Sequence, residues 1–108
     1  MQLKYDYWTG QFEEVKGSLI RNISQYSINN TEIKIGITND PERRIKEHQN
    51  SNLGWQKMIV KYETTSINYI NVMEELLSNY HWEYLSNNRG GNQEHKEKPN
   101  YYLYILIK

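Results

Sequence analysis

Between Thr31 and Thr38 apolar and polar positions alternate, with Ile33, Ile35 and Ile37 on one side and Lys34, Gly36 and Thr38 on the other. A period of two predicts a strand with one face in the core. Upstream, Phe12, Val15, Leu19, Ile23 and Tyr26 recur at spacings of three and four, which predicts an amphipathic helix from Gln11 to about Ser27. Asn29-Asn30 then marks a loop. Downstream of the strand, Asp40 suits a helix N-cap and Pro41 suits the first helical position, so a short helix should run from Pro41 to about Asn50. Asn50 to Gly54 reads as a turn, and Trp55 to Tyr62 as a second strand. Thr65 or Ser66 should cap a longer helix reaching about Leu85, with Ile70, Met73, Leu77, Tyr80 and Tyr84 on its inner stripe. Ser86 to Asn100 is polar, carries Gly90-Gly91 and Pro99, and predicts a long loop. Tyr101 to Ile107 is rich in aromatic and β-branched residues and predicts a closing strand. The opening segment, Met1 to Gly10, is mixed and predicts a short strand or an extended arm. Together these elements make an α/β (α+β) chain.

Composition narrows the picture. The chain has 108 residues, 37% of them hydrophobic and 24% charged, which suits one folded domain spanning 1–108. The absence of cysteine excludes disulfides, thiolate zinc sites and a cysteine nucleophile. No apolar run approaches the roughly 20 residues that span a bilayer. Met1 to Gly10 lacks the basic-then-apolar order of a signal peptide, so a cytoplasmic protein without membrane contact is expected. Formal net charge is zero. That argues against tight, general binding of long nucleic acid, whose affinity comes largely from phosphate neutralisation. A short or small phosphorylated ligand held at a local site remains compatible with it. Ten tyrosines against one phenylalanine leave many amphipathic rings for surfaces and ligands.

The segment Ile33-Lys34-Ile35-Gly36-Ile37-Thr38-Asn39-Asp40-Pro41-Glu42-Arg43-Arg44-Ile45-Lys46-Glu47-His48 carries the candidate chemistry. Arg44 and His48 stand four apart on the expected helix and share one of its faces. Arginine stays charged and grips phosphate oxygens with a planar fork. Gly36 allows close approach to the strand backbone. This segment resembles the strand and helix of the GIY-YIG nuclease superfamily that bear the tyrosine-isoleucine-glycine half of its signature. In that family an arginine follows the glycine by eight residues and, in many members, a histidine follows four later; Gly36, Arg44 and His48 have those spacings. Lys34 occupies the place of the signature's second tyrosine. The final run, Tyr101-Tyr102-Leu103-Tyr104-Ile105-Leu106-Ile107, is similar to the family's first strand. It comes last here, which suggests a permuted arrangement with Tyr104 standing for that strand's tyrosine.

The resemblance implies a small three-stranded, mainly antiparallel sheet packed with about three helices. It also implies a metal-binding glutamate on the long helix. Glu74 and Glu75 are the candidates, and Glu74 lies nearer the inner stripe. A working site would then be a metal-dependent endonuclease that hydrolyses a phosphodiester. Glu74 would hold Mg2+, Arg44 would stabilise charge on the phosphate, and Tyr104 would position or deprotonate the attacking water. His48 would assist as a base. The alternative is a catalytically silent phage or mobile-element protein that binds and sequesters nucleotide or cyclic-nucleotide immune signals. There Lys34, Gly36, Arg44 and Arg89 would contact the ligand, with the loop Asn87 to Asn92 over the pocket. The partner is thus nucleic acid or a small nucleotide, and a homo-oligomer is compatible with either reading.

Overall fold

A computed structural model of the chain describes residues 1–29, 32–80 and 98–108, the side chains of Ser27, Asn29 and Tyr80 excepted. Seven elements follow in order: β1 (Gln2–Trp8), α1 (Phe12–Asn29), β2 (Ile33–Thr38), α2 (Pro41–Asn50), β3 (Lys57–Thr64), α3 (Ile67–Tyr80) and β4 (Tyr101–Ile107). The chain is therefore α+β, with three helices among the described residues, as expected. The strands lie side by side in the order β1-β3-β4-β2. β4 runs antiparallel to both neighbours, while β1 runs parallel to β3. The sheet is thus four-stranded and mixed, which corrects the three-stranded, mainly antiparallel expectation. The fourth strand is the mixed opening segment. Leu3 pairs with Met58 and packs with Met1 against the apolar cluster beneath α2, which holds β1 to the edge.

The last strand is central because it is apolar on both faces. Leu103, Ile105 and Ile107 enter one cluster with Ile33, Ile35 and Ile37 of β2 and the buried stripes of α1 and α3. Tyr104 and Leu106 enter the other, with Met58, Val60, Trp55 and Ile45 of α2. Continuous apolar runs of this kind mark strands covered on both sides. α1 and α3 thus share one side of the sheet, and α2 takes the other.

Local chemistry sets most boundaries. The Asp40 side chain accepts a hydrogen bond from the Arg43 amide at 3.2 Å, and Pro41 follows as the first helical residue. Ser66, of the two candidates, caps α3 by accepting from the Tyr69 amide at 3.1 Å. β3 begins two residues later than expected. Trp55 is buried ahead of it, and Gln56 bridges β1 and β4 through the Gln2 amide and the Ile107 carbonyl. The strand then continues past Tyr62, because an irregularity between Val60 and Tyr62 resets its register on β4. The expected end of α3 near Leu85 lies outside the described residues, as does most of the expected loop Ser86 to Asn100.

Candidate functional site

The register of β2 on β4 places Gly36 opposite Tyr104. The Tyr104 ring lies across that glycine so closely that a Cβ at position 36 would stand 2.4 Å from the hydroxyl and 2.5 Å from Cζ. Absence of a side chain at Gly36 is what lets the phenol lie there. Directly after β2, Thr38 is fully buried and locks the turn, its hydroxyl accepting from the Asp40 amide at 3.0 Å. This turn aims α2, whose Ile45 anchors it to the sheet. Arg44 and His48 then lie on the flank of α2 that faces the phenol.

The contacts are close. The His48 Nε2 and the Tyr104 hydroxyl are 2.9 Å apart, with the two rings edge-on. The positive charge of Arg44 lowers the Tyr104 pKa, while Glu74 and Glu47 raise it. Either member of the imidazole–phenol pair can donate, according to the histidine tautomer. Burial is the dominant influence on Tyr104, and it pushes the phenol up to about 12. Desolvation, with the charges of Lys34 and Arg44 behind it, holds His48 below its usual value, against a smaller opposing effect of Glu47. At neutral pH the pair is therefore a neutral phenol and a neutral imidazole.

Arg44 keeps donor capacity. Its Nε lies 3.2 Å from a Glu47 carboxylate oxygen, yet the contact is not aligned as a hydrogen bond. The charge attraction is real, but the directional bonding of the guanidinium is not exhausted by it.

The sequence-predicted residues fall into three groups. Arg44, His48, Tyr104 and Gly36 converge, Lys34 is near enough to bias His48, and Glu74 is near enough to bias Tyr104. Between the two glutamates the structure distinguishes clearly. Glu74 is 0% exposed, whereas Glu75 is exposed and borders a surface hollow with Val72, Leu76 and Asn79. Arg89 and the segment Asn87 to Asn92 lie outside the described residues.

Among the described residues no group of three or more His, Asp or Glu side chains is placed to hold a metal ion. The carboxylates that act on the phenol are Glu47, exposed beside Arg44, and Glu74, fully buried on α3. A carboxylate is a hard oxygen donor of the kind that magnesium takes alongside water and substrate phosphate. Beside the site, Met1, His48, Gln49, Asn52, Gly54 and Trp55 line a hollow of about 440 Å³ that sequence reasoning did not anticipate. The αL backbone of Asn52 and Gly54 in the turn after α2 was its one sequence-level signal. No helix among the described residues is long and apolar enough to cross a membrane.

No curated protein and no solved structure matches the chain. A family model does, that of the T5orf172 domain, over residues 20–98. The matched span holds Lys34, Gly36, Arg44, His48 and Glu74, and ends before β4 brings Tyr104 to them. Since that span covers well over half of the chain, the protein belongs to the T5orf172 domain family.

Proposed function

We propose that this T5orf172 domain is a GIY-YIG-type, magnesium-dependent nuclease that hydrolyses a phosphodiester in DNA or RNA, acting in the cytoplasm. The observation that carries the reading is the meeting of Arg44, His48 and Tyr104 over Gly36, at hydrogen-bond distance between imidazole and phenol. Family membership supports it.

The chemistry follows from those groups. A phenol pushed up to about 12 does not ionise at neutral pH, so Tyr104 acts as a positioned hydroxyl rather than as a phenolate base. It accepts a hydrogen bond from the attacking water and passes its own proton to Nε2 of neutral His48. The water oxygen bonds to phosphorus as the bond to the leaving oxygen breaks, and the water proton replaces the one Tyr104 gave up. Arg44 binds non-bridging oxygens and offsets the negative charge that grows on them. Lys34 adds positive potential on the same side of the sheet. Glu74 would supply a carboxylate for magnesium, and the metal would offset charge on the phosphate and the leaving oxygen.

A second reading follows from a formal net charge of zero. Without a basic excess, affinity for a long polyanion is weak, and the same cationic site suits a small nucleotide that a phage or mobile-element protein sequesters without cleaving. Incubation of the purified chain with DNA and RNA, with and without Mg2+, separates the two. The nuclease reading expects Mg2+-dependent cleavage that Arg44→Ala abolishes. The sequestering reading expects none, and a nucleotide released only on denaturation and identified by mass spectrometry.

A further inference from the structure

β1 is an edge strand, and its seven residues keep their side chains largely exposed although the strand is paired to β3. Tyr5, Tyr7 and Trp8 are each between 42% and 48% exposed. Among the described residues nothing pairs with the outer edge of β1. A strand edge bearing aromatic residues, in regular register from Gln2 to Tyr5 and with an irregularity between Tyr5 and Trp8, is a template for another strand.

Backbone direction shows which groups are offered. The Gln2 amide donates to Gln56 beside β3 at 3.0 Å. Alternation along a strand then turns the amides and carbonyls of Leu3 and Tyr5 outward. Charge selects the partner. If a second β1 lies antiparallel to the first and the two-fold axis passes through Tyr5, Lys4 stands opposite Asp6 of the other copy, twice. Leu3 stands opposite the other Tyr7, and the two Tyr5 residues face one another as a hydrogen-bonded pair. Shifting the centre one residue either way sets Lys4 against Lys4 or Asp6 against Asp6, which is unfavourable across strands. Asp6 is 56% exposed in its side chain while it pairs with Lys61 at 3.2 Å, so it has room for a second cation.

We propose that β1 pairs with β1 of a second copy of this chain, in antiparallel register centred on Tyr5, to form a two-fold dimer with one eight-stranded sheet. The pairing sets Tyr5 against the other Tyr5 and Tyr7 against the other Leu3, and closes the exposed edge. An axis perpendicular to the sheet puts both α2 helices on the same side. The two β4 strands are then five strand spacings apart, roughly 24 Å before twist is allowed for.

The solution mass of the full chain over a dilution series tests the pairing without reference to any activity. The expected mass at high concentration is twice 13.1 kDa. Lys4→Glu sets carboxylate against carboxylate at Asp6 in both pairs and should return the monomer with an unchanged circular dichroism spectrum. Tyr5→Pro removes the outward amide, which an edge position tolerates, and should do the same. A wild-type monomer throughout the series, or a dimer that survives either substitution, overturns the proposal.

Discussion

The Tyr104 hydroxyl and the His48 Nε2 meet at 2.9 Å although 56 residues separate them in the chain. The contact ties the last strand to the short helix after β2, and it has a pH signature. Burial lowers the folded-state pKa of His48 below the usual 6.5. Between that lowered value and 6.5 the unfolded chain binds more protons than the folded one, so stability rises with pH through this window. The interaction is therefore fully present above 6.5 and is lost as pH falls through the folded value. Chemical denaturation at about pH 7 and about pH 5 should show a larger loss for the wild type than for His48→Gln. Equal losses would show that the imidazole is not held neutral by its surroundings.

Gly36 is where Tyr104 passes closest to the backbone. A methyl group there collides with a ring that is only 2% exposed and has nowhere to retreat. Gly36→Ala should cost about 1–3 kcal/mol through overpacking and displace the phenol from His48. Gly17 provides the comparison. Its Cβ would meet only an Arg21 side-chain nitrogen at 3.7 Å, within helix α1. Gly17→Ala should therefore stabilise by about 0.5–1 kcal/mol. Thermal melts of the two variants should shift in opposite directions; shifts in the same direction would contradict the contrast.

The sequence carried the elements that have local causes. Asp40 and Pro41 set the start of α2, and the aromatic and β-branched run Tyr101 to Ile107 set β4, both where expected; the isoleucine alternation set β2, which begins at Ile33 rather than Thr31. The placement of Gly36, Arg44 and His48 on neighbouring elements was legible from spacing. The parallel attachment of β1 was not, because parallel pairing with β3 depends on contacts between distant residues and leaves no period of two in a strand whose side chains stay exposed on both faces. The bulge in β3 near Lys61 was equally hidden, since a single lysine within the apolar run Met58 to Tyr62 does not by itself signal an extra residue. Glu74 and Glu75 are adjacent on one helix, and only the packing of α3 decides which is enclosed.

Lys61 is 1% exposed and is neutralised by Asp6 at 3.2 Å, with the Tyr26 ring 5.5 Å away. A buried ammonium that loses its carboxylate keeps its desolvation penalty without the compensating attraction. Asp6→Asn should thus cost about 1–3 kcal/mol, whereas Lys61→Met, which removes the charge and keeps the volume, should cost less. Denaturant titrations of both variants decide the order, and a larger loss for Lys61→Met would contradict it.

Asp40 caps α2 through the Arg43 amide. Asp40→Ala should lower stability by about 1 kcal/mol. Because α2 carries Arg44 and His48, the same substitution should loosen their hold on Tyr104. Proton exchange of the α2 amides checks this, with faster exchange in the variant expected and unchanged exchange opposing it.

The central claim is that Arg44, His48 and Tyr104 act together on a phosphodiester. Its most direct measurement is the initial rate of Mg2+-dependent cleavage of single- and double-stranded DNA and RNA by the wild type, Arg44→Ala and Tyr104→Phe. Cleavage by the wild type is expected, with a loss on the order of 10²–10³ in rate for Arg44→Ala and a clear loss for Tyr104→Phe with the fold intact. Cleavage that both variants retain at the wild-type rate, or no cleavage of any nucleic acid by the wild type, would contradict it.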